Sequence, residues 1–162
     1  MRPFVMWPAA VLVMATATLR PPPVDAQTET SVTGAAAGVF PAGVSYLGVP
    51  LNAVELGMGL SVAGGWAAGP FQATLTGVSA LGLEQNIEVE GAATSSVASE
   101  PGTAIFSGTC TVDPGDGTPP VPGVPFTVAV AANPDGAGSL ALTLGTTTLP
   151  AATVGEGYMT IQ

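Results

Sequence analysis

Thr103–Val112 (TAIFSGTCTV), then Asp113-Pro114-Gly115-Asp116-Gly117, then a proline-rich loop, then Val124–Ala131 (VPFTVAVA) read as strand, acidic glycine turn, loop and strand. Phe106, Cys110 and Val112 fall on one side of the first strand. Phe126, Val128 and Val130 alternate with Thr127 and Ala129 in the second. A period of two over such runs is the mark of a half-buried strand. Downstream, Asn133-Pro134-Asp135-Gly136 is a turn, because proline presets φ early in it and glycine tolerates positive φ at its end. Ser139–Leu144 then returns with Leu140, Leu142 and Leu144 on one face, which predicts a β-hairpin.

Upstream, Ala53–Ala63 repeats the pattern most strictly. Val54, Leu56, Met58, Leu60 and Val62 share one face, and Glu55, Gly57, Gly59, Ser61 and Ala63 the other. A helix there would hold two interior glycines, each costing about 1 kcal/mol relative to alanine. Phe71–Val78 and Asn86–Glu90 alternate likewise, Trp66–Pro70 reads as a loop, and Thr94–Ala98 and Thr146–Leu149 read as further short strands. Gln27–Thr33 is a polar edge strand or arm, followed by a small-residue, flexible stretch from Gly34 to Gly43. Glycine (22) and proline (16) recur without a triplet period, favouring strands and turns over helices or collagen. The expectation is an all-β fold, an antiparallel β-sandwich of about eight to ten short strands.

The N-terminus reads as a secretory signal peptide over residues 1–26. Met1-Arg2 is a short basic region, Phe4 to Leu19 is apolar, and Val24-Asp25-Ala26 places small side chains where a signal peptidase cuts. The apolar run is short for a membrane span and contains Pro8. The remaining residues, 27–162, are expected to form a single domain in a secreted protein, extracellular, at the cell surface or in the periplasm. Arg2 and Arg20 are the only basic residues, and there is no histidine, so the mature chain holds ten acids and no cation. Nucleic-acid binding, which rests on basic groups displacing counterions, is excluded on this ground. Disorder is disfavoured by 47% hydrophobic against 8% charged residues. Cys110, the single cysteine, leaves no internal disulfide framework and reads as a small buried hydrophobe.

The run Val112-Asp113-Pro114-Gly115-Asp116-Gly117-Thr118, followed by Pro125–Val130 and by Asn133–Gly136, resembles the central motif of PKD domains. Pro114 stands where those domains usually carry phenylalanine, and Val112 where they carry tryptophan. The resemblance covers Val112–Gly136 and implies an Ig-like sandwich of the kind found in bacterial surface proteins and secreted hydrolases.

Candidate sites are few. Asp113, Asp116 and Asp135 are the candidate Ca²⁺ ligands, although calcium takes six to eight oxygens and two turn aspartates supply too few alone. The competing reading is a turn whose aspartates accept backbone N–H groups. Glu88 and Glu90 lie about 6–7 Å apart on one strand face, within the ~5–9 Å range of glycosidase carboxylate pairs. No cation or histidine tunes them, and a solvated face explains them as well. Serine, threonine and Cys110 lack a histidine or lysine base, so nucleophilic catalysis is not expected. Tyr46, Trp66, Phe71 and Tyr158 could stack on a sugar or simply fill core and rim. The faces opposite the apolar rows are mostly Gly, Ala, Ser and Thr, without the charge that usually shields strands from neighbouring chains. Together these features point to a non-catalytic structural, adhesive or assembly protein whose partners are itself, other cell-envelope or matrix components, or a glycan. The alternative is a carbohydrate- or calcium-dependent binding module. An outer-membrane barrel would suit the length, but aromatic girdles and a charged lumen are missing.

Overall fold

The computed structural model describes residues 29–100, 102–133 and 138–162, with backbone alone over 97–100. The signal-peptide reading of residues 1–26 lies outside the described residues. So does most of the Asn133–Gly136 turn, including Asp135.

Ten strands follow one another: β1 (Thr30–Val39), β2 (Ser45–Tyr46), β3 (Val49–Ala63), β4 (Trp66–Val78), β5 (Glu84–Glu100), β6 (Thr103–Asp113), β7 (Val121–Ala132), β8 (Gly138–Leu144), β9 (Thr147–Thr148) and β10 (Ala152–Ile161). All pairings are antiparallel, and long strands adjacent in sequence are adjacent in the sheet. β1 pairs with β10 along one edge and with β3 along the other, Thr30↔Val62 through Val39↔Ala53. The ladder therefore runs β3-β4-β5-β6-β7-β8-β10-β1 and back to β3, a closed up-and-down barrel of eight strands. β2 and β9 are two-residue additions on β3 and β8.

The antiparallel all-β expectation holds. The two-sheet division of an Ig-like sandwich gives way to one sheet closed on itself, because tight hairpins keep each strand beside its predecessor. Gly64-Gly65 shows how. Both glycines have positive φ, 54° and 89°, the two-residue turn whose twist suits a hairpin, and Ala63 pairs directly with Trp66. Trp66–Pro70 is thus strand, not loop. The strands are also longer than expected. Asn86–Glu90 and Thr94–Ala98 fuse into the 17-residue β5, whose register shifts near Ala93 and Ser96 absorb the irregularity.

The alternating apolar rows point inward. Val54, Leu56, Met58, Leu60 and Val62 are all buried, and no polar or charged side chain is buried among the described residues. Phe71 of β4, Phe106 of β6 and Phe126 of β7 meet at the centre. Phe71 stacks on Phe126 with ring centroids 5.2 Å apart, and Phe106 stands edge-on to each, at 5.8 and 6.3 Å. Burying such a side chain contributes roughly 1.5–3 kcal/mol. Glycine makes the room: a Cβ on Gly91 would lie 3.0 Å from a Phe126 ring carbon and 2.7 Å from the Thr109 carbonyl.

The stretch expected to be flexible, Gly34–Gly43, instead supplies much of β1. Its inward positions carry Gly34, Ala36 and Gly38, followed by buried Phe40. β1 approaches β10 so closely that a Cβ on Gly34 would lie 2.6 Å from the Tyr158 carbonyl oxygen. Small residues read as flexibility in the sequence are here the condition for closing the ring.

Candidate functional site

The strand register gathers the carboxylates on one side of the outer wall. Glu55 of β3 pairs with Thr74 of β4, Thr74 with Glu88 of β5, and Glu88 with Asp113 of β6. One step along, Gln72 pairs with Glu90, and Glu90 with Thr111. Glu88, Glu90, Thr111 and Asp113, with Pro120 at the lip, line a shallow concavity open to solvent. The polar half of each strand's alternation faces outward here, so these side chains sit on the wall by the same period that buries Ile87 and Val89.

Glu88 and Asp113 form a like-charged cross-strand pair. Directly opposed residues in antiparallel strands hold their Cβ atoms about 4.5–5.5 Å apart, and like charges so placed destabilise the sheet. No lysine, arginine or histidine lies in the described residues to offset them.

Asp113 and Asp116 each serve the turn between β6 and β7. Asp113 Oδ1 accepts the Gly115 N–H at 2.9 Å, and Asp116 Oδ1 accepts the Thr118 N–H at 2.9 Å and the Thr118 hydroxyl at 2.5 Å. The hydroxyl bond from Thr118, then its N–H, holds the Asp116 carboxyl below the ordinary aspartate range. Gly115 and Gly117 take positive φ, 69° and 84°, which lets the chain fold back over each carboxylate. The turn is tied to β5 by Gln85 Nε2 donating to the Pro114 carbonyl at 2.8 Å. Among the described residues, no three His, Cys, Asp or Glu side chains gather closely enough to hold a metal ion. The structure thus gives Asp113 and Asp116 separate local partners, the arrangement of the turn reading.

The other sequence candidates disperse. Tyr46 and Phe71 are buried, while Trp66 and Tyr158 are exposed on separate strands, β4 and β10, so the four aromatics form no common platform. Cys110 lies inside the barrel and donates to the Val124 carbonyl at 3.3 Å. Burial pushes its thiol pKa up, which keeps it a thiol and a poor nucleophile.

Sequence reasoning missed one feature, the apolar residues left at one end of the barrel. Leu81 is 86% exposed and Leu83 65%, in the β4–β5 connection; Leu47 at 59% precedes β3, and Val121 at 51% opens β7. The available signal was Val78-Ser79-Ala80-Leu81-Gly82-Leu83, an apolar run at a turn, where hydrophobicity has no strand face to serve.

Comparison with protein-family models, with curated proteins and with solved structures found no match to this chain.

Proposed function

We propose that the chain is an exported, non-catalytic β-protein with a structural or adhesive role at the bacterial cell surface or matrix. The observation that carries this reading is the outer wall. The barrel buries most of its large apolar side chains inside, and its wall presents mainly Gly, Ala, Ser, Thr and carboxylates on a closed surface. A bilayer-spanning barrel needs the opposite arrangement, an apolar band facing outward. Among the described residues the eight exposed large hydrophobics form no such band; the outward positions of β3 to β5 include Glu55, Gln72, Glu88 and Glu90. The test is fractionation of producing cells with mass determination of the processed chain, followed by co-sedimentation with purified cell-wall polymer. Export with a new N-terminus at Gln27 and pelleting with the polymer are expected; retention in the cytoplasm would refute the reading.

A cation-dependent binding module is the second reading, favoured by the directly opposed pair Glu88 and Asp113, for which a cation shared with a bound ligand would relieve the like charge. A melting temperature raised by calcium in the wild type and unmoved in Glu88→Gln would establish it. A melting temperature indifferent to calcium would remove it.

A further inference from the structure

The end of the barrel that carries the connections into β3, β5 and β7 combines two features that no part of the fold requires. Scattered exposed hydrophobics are ordinary on a protein surface; several on adjoining loops mark a contact site. Leu47, Leu81, Leu83 and Val121 stand on three connections at one end of the barrel, between strands that are neighbours in the sheet. The end of β4 packs against the start of β3, where a Cβ on Gly77 would lie 2.8 Å from Val49 Cγ1. The start of β5 is bound to the β6–β7 turn through Gln85 and Pro114.

The leucines are also held in place. Ser79 N–H donates to the Leu83 carbonyl at 2.8 Å, Gly82 N–H to the Ser79 carbonyl at 2.9 Å, and Leu83 N–H to Ser79 Oγ at 3.2 Å. A loop whose backbone is already satisfied loses little conformational freedom when it docks.

The occupant follows from charge. Glu84 adjoins Leu83, and Asp113 and Asp116 belong to the neighbouring turn. Arg2 and Arg20 are the chain's only basic residues, both outside the described structure. A second copy meeting this end would bring carboxylates against carboxylates with nothing to offset them, and an anionic membrane would repel it in the same way. We propose that this end docks a protein partner whose apolar groove is bordered by lysine or arginine. Leu81 and Leu83 enter the groove, and Glu84 and Asp116 meet its border, the arrangement that steers encounter and rejects acidic partners. The inference rests on the surface role proposed above and gives it a partner chemistry.

The test uses the purified chain and three synthetic peptides of equal length: alternating leucine and lysine, alternating leucine and glutamate, and lysine alone. Fluorescence anisotropy should show binding of the leucine–lysine peptide alone. Leu81→Ser/Leu83→Ser should weaken it at least tenfold, Glu84→Gln/Asp116→Asn a fewfold, and Leu81→Met/Leu83→Met hardly at all. Melting temperature reports that the variants remain folded. No binding by the wild type, equal binding of lysine alone, binding of the leucine–glutamate peptide, or an unchanged Leu81→Ser/Leu83→Ser affinity would overturn the proposal. So would sedimentation showing that the wild type dimerises and the serine variant does not. These results are independent of export: a cytoplasmic chain would end the surface role and leave peptide binding standing, whereas an unaffected serine variant would end the docking proposal alone.

Discussion

The barrel is built in two ways. From β4 to β7 the wall is held by long ladders and a cluster of large side chains. β4 and β5 exchange ten consecutive pairs, Gly69↔Ala93 through Val78↔Glu84, and Phe71, Phe106 and Phe126 meet behind them. On the opposite side the ring is closed by β8 and β10, which among the described residues share three pairs: Ala152↔Leu140, Thr153↔Ser139 and Val154↔Gly138. Beyond them the Leu142 carbonyl accepts from Leu149 N–H, so a loop takes over where β10 leaves. β1, next to this seam, faces inward with glycine and alanine. One side derives its strength from volume, the other from close approach. Substitutions should therefore fail in opposite directions: removing atoms damages the wall, adding atoms damages the seam.

The largest effect is expected from Phe126→Ala. Phe126 is 2% exposed and stacks on one ring while receiving the edge of another. Truncating a buried phenylalanine costs about 3–5 kcal/mol, the lost burial plus the cavity left behind. Urea unfolding should show the midpoint falling with an unchanged slope. A loss below ~1 kcal/mol would mean that the interior collapses around the gap and that the wall does not depend on volume.

Gly34→Val probes the other side. The added side chain starts 2.6 Å from the Tyr158 carbonyl oxygen and 3.1 Å from the Met159 Cα, and backbone cannot give way as a side chain can. Overpacking of this kind costs about 1–3 kcal/mol. Its signature differs from that of the phenylalanine variant. Hydrogen exchange should quicken first at the amides of β1 and β10, by local opening, while those of β4 to β7 keep their protection. Uniform quickening throughout would show that the seam does not open separately.

The same contrast explains what could be read from the sequence. The wall was legible because its strands alternate large apolar with polar residues: Phe71–Val78, Thr103–Val112 and Val124–Ala131 announce both strand and face. The seam was not. Gly34, Ala36 and Gly38 carry no hydrophobic signal, and the reason for their size is a neighbour more than a hundred residues away, which no local pattern contains. Ring closure depends on that same distant pairing, so individual strands were foreseeable while one closed sheet was not. Among the candidate residues, the period placed Glu88 and Glu90 on the outer face correctly. Opposing Glu88 to Asp113 needed the register of β5 against β6. The apolar end escaped notice because hydrophobic residues were expected only where they could be buried.

The smallest effect belongs to the outside of the strong wall, and its sign is the point. Glu88→Gln keeps the shape of the side chain and removes one of two carboxylates set opposite each other, with no cation in the described structure to compensate. A directly opposed pair is worth about 0.2–1 kcal/mol in either direction, so this variant should be more stable than the wild type by that amount at low salt. Added salt should narrow the gap, since an exposed pair is screened within about 10 Å at 0.1 M. Thermal or urea unfolding at two salt concentrations measures both. Ordinary surface substitutions seldom stabilise, so a gain here would mark a position where the fold tolerates a charge that its own stability does not favour. A loss would show instead that the Glu88 carboxylate already has a stabilising partner, and that the acidic face, like the core behind it, contributes to holding the wall together.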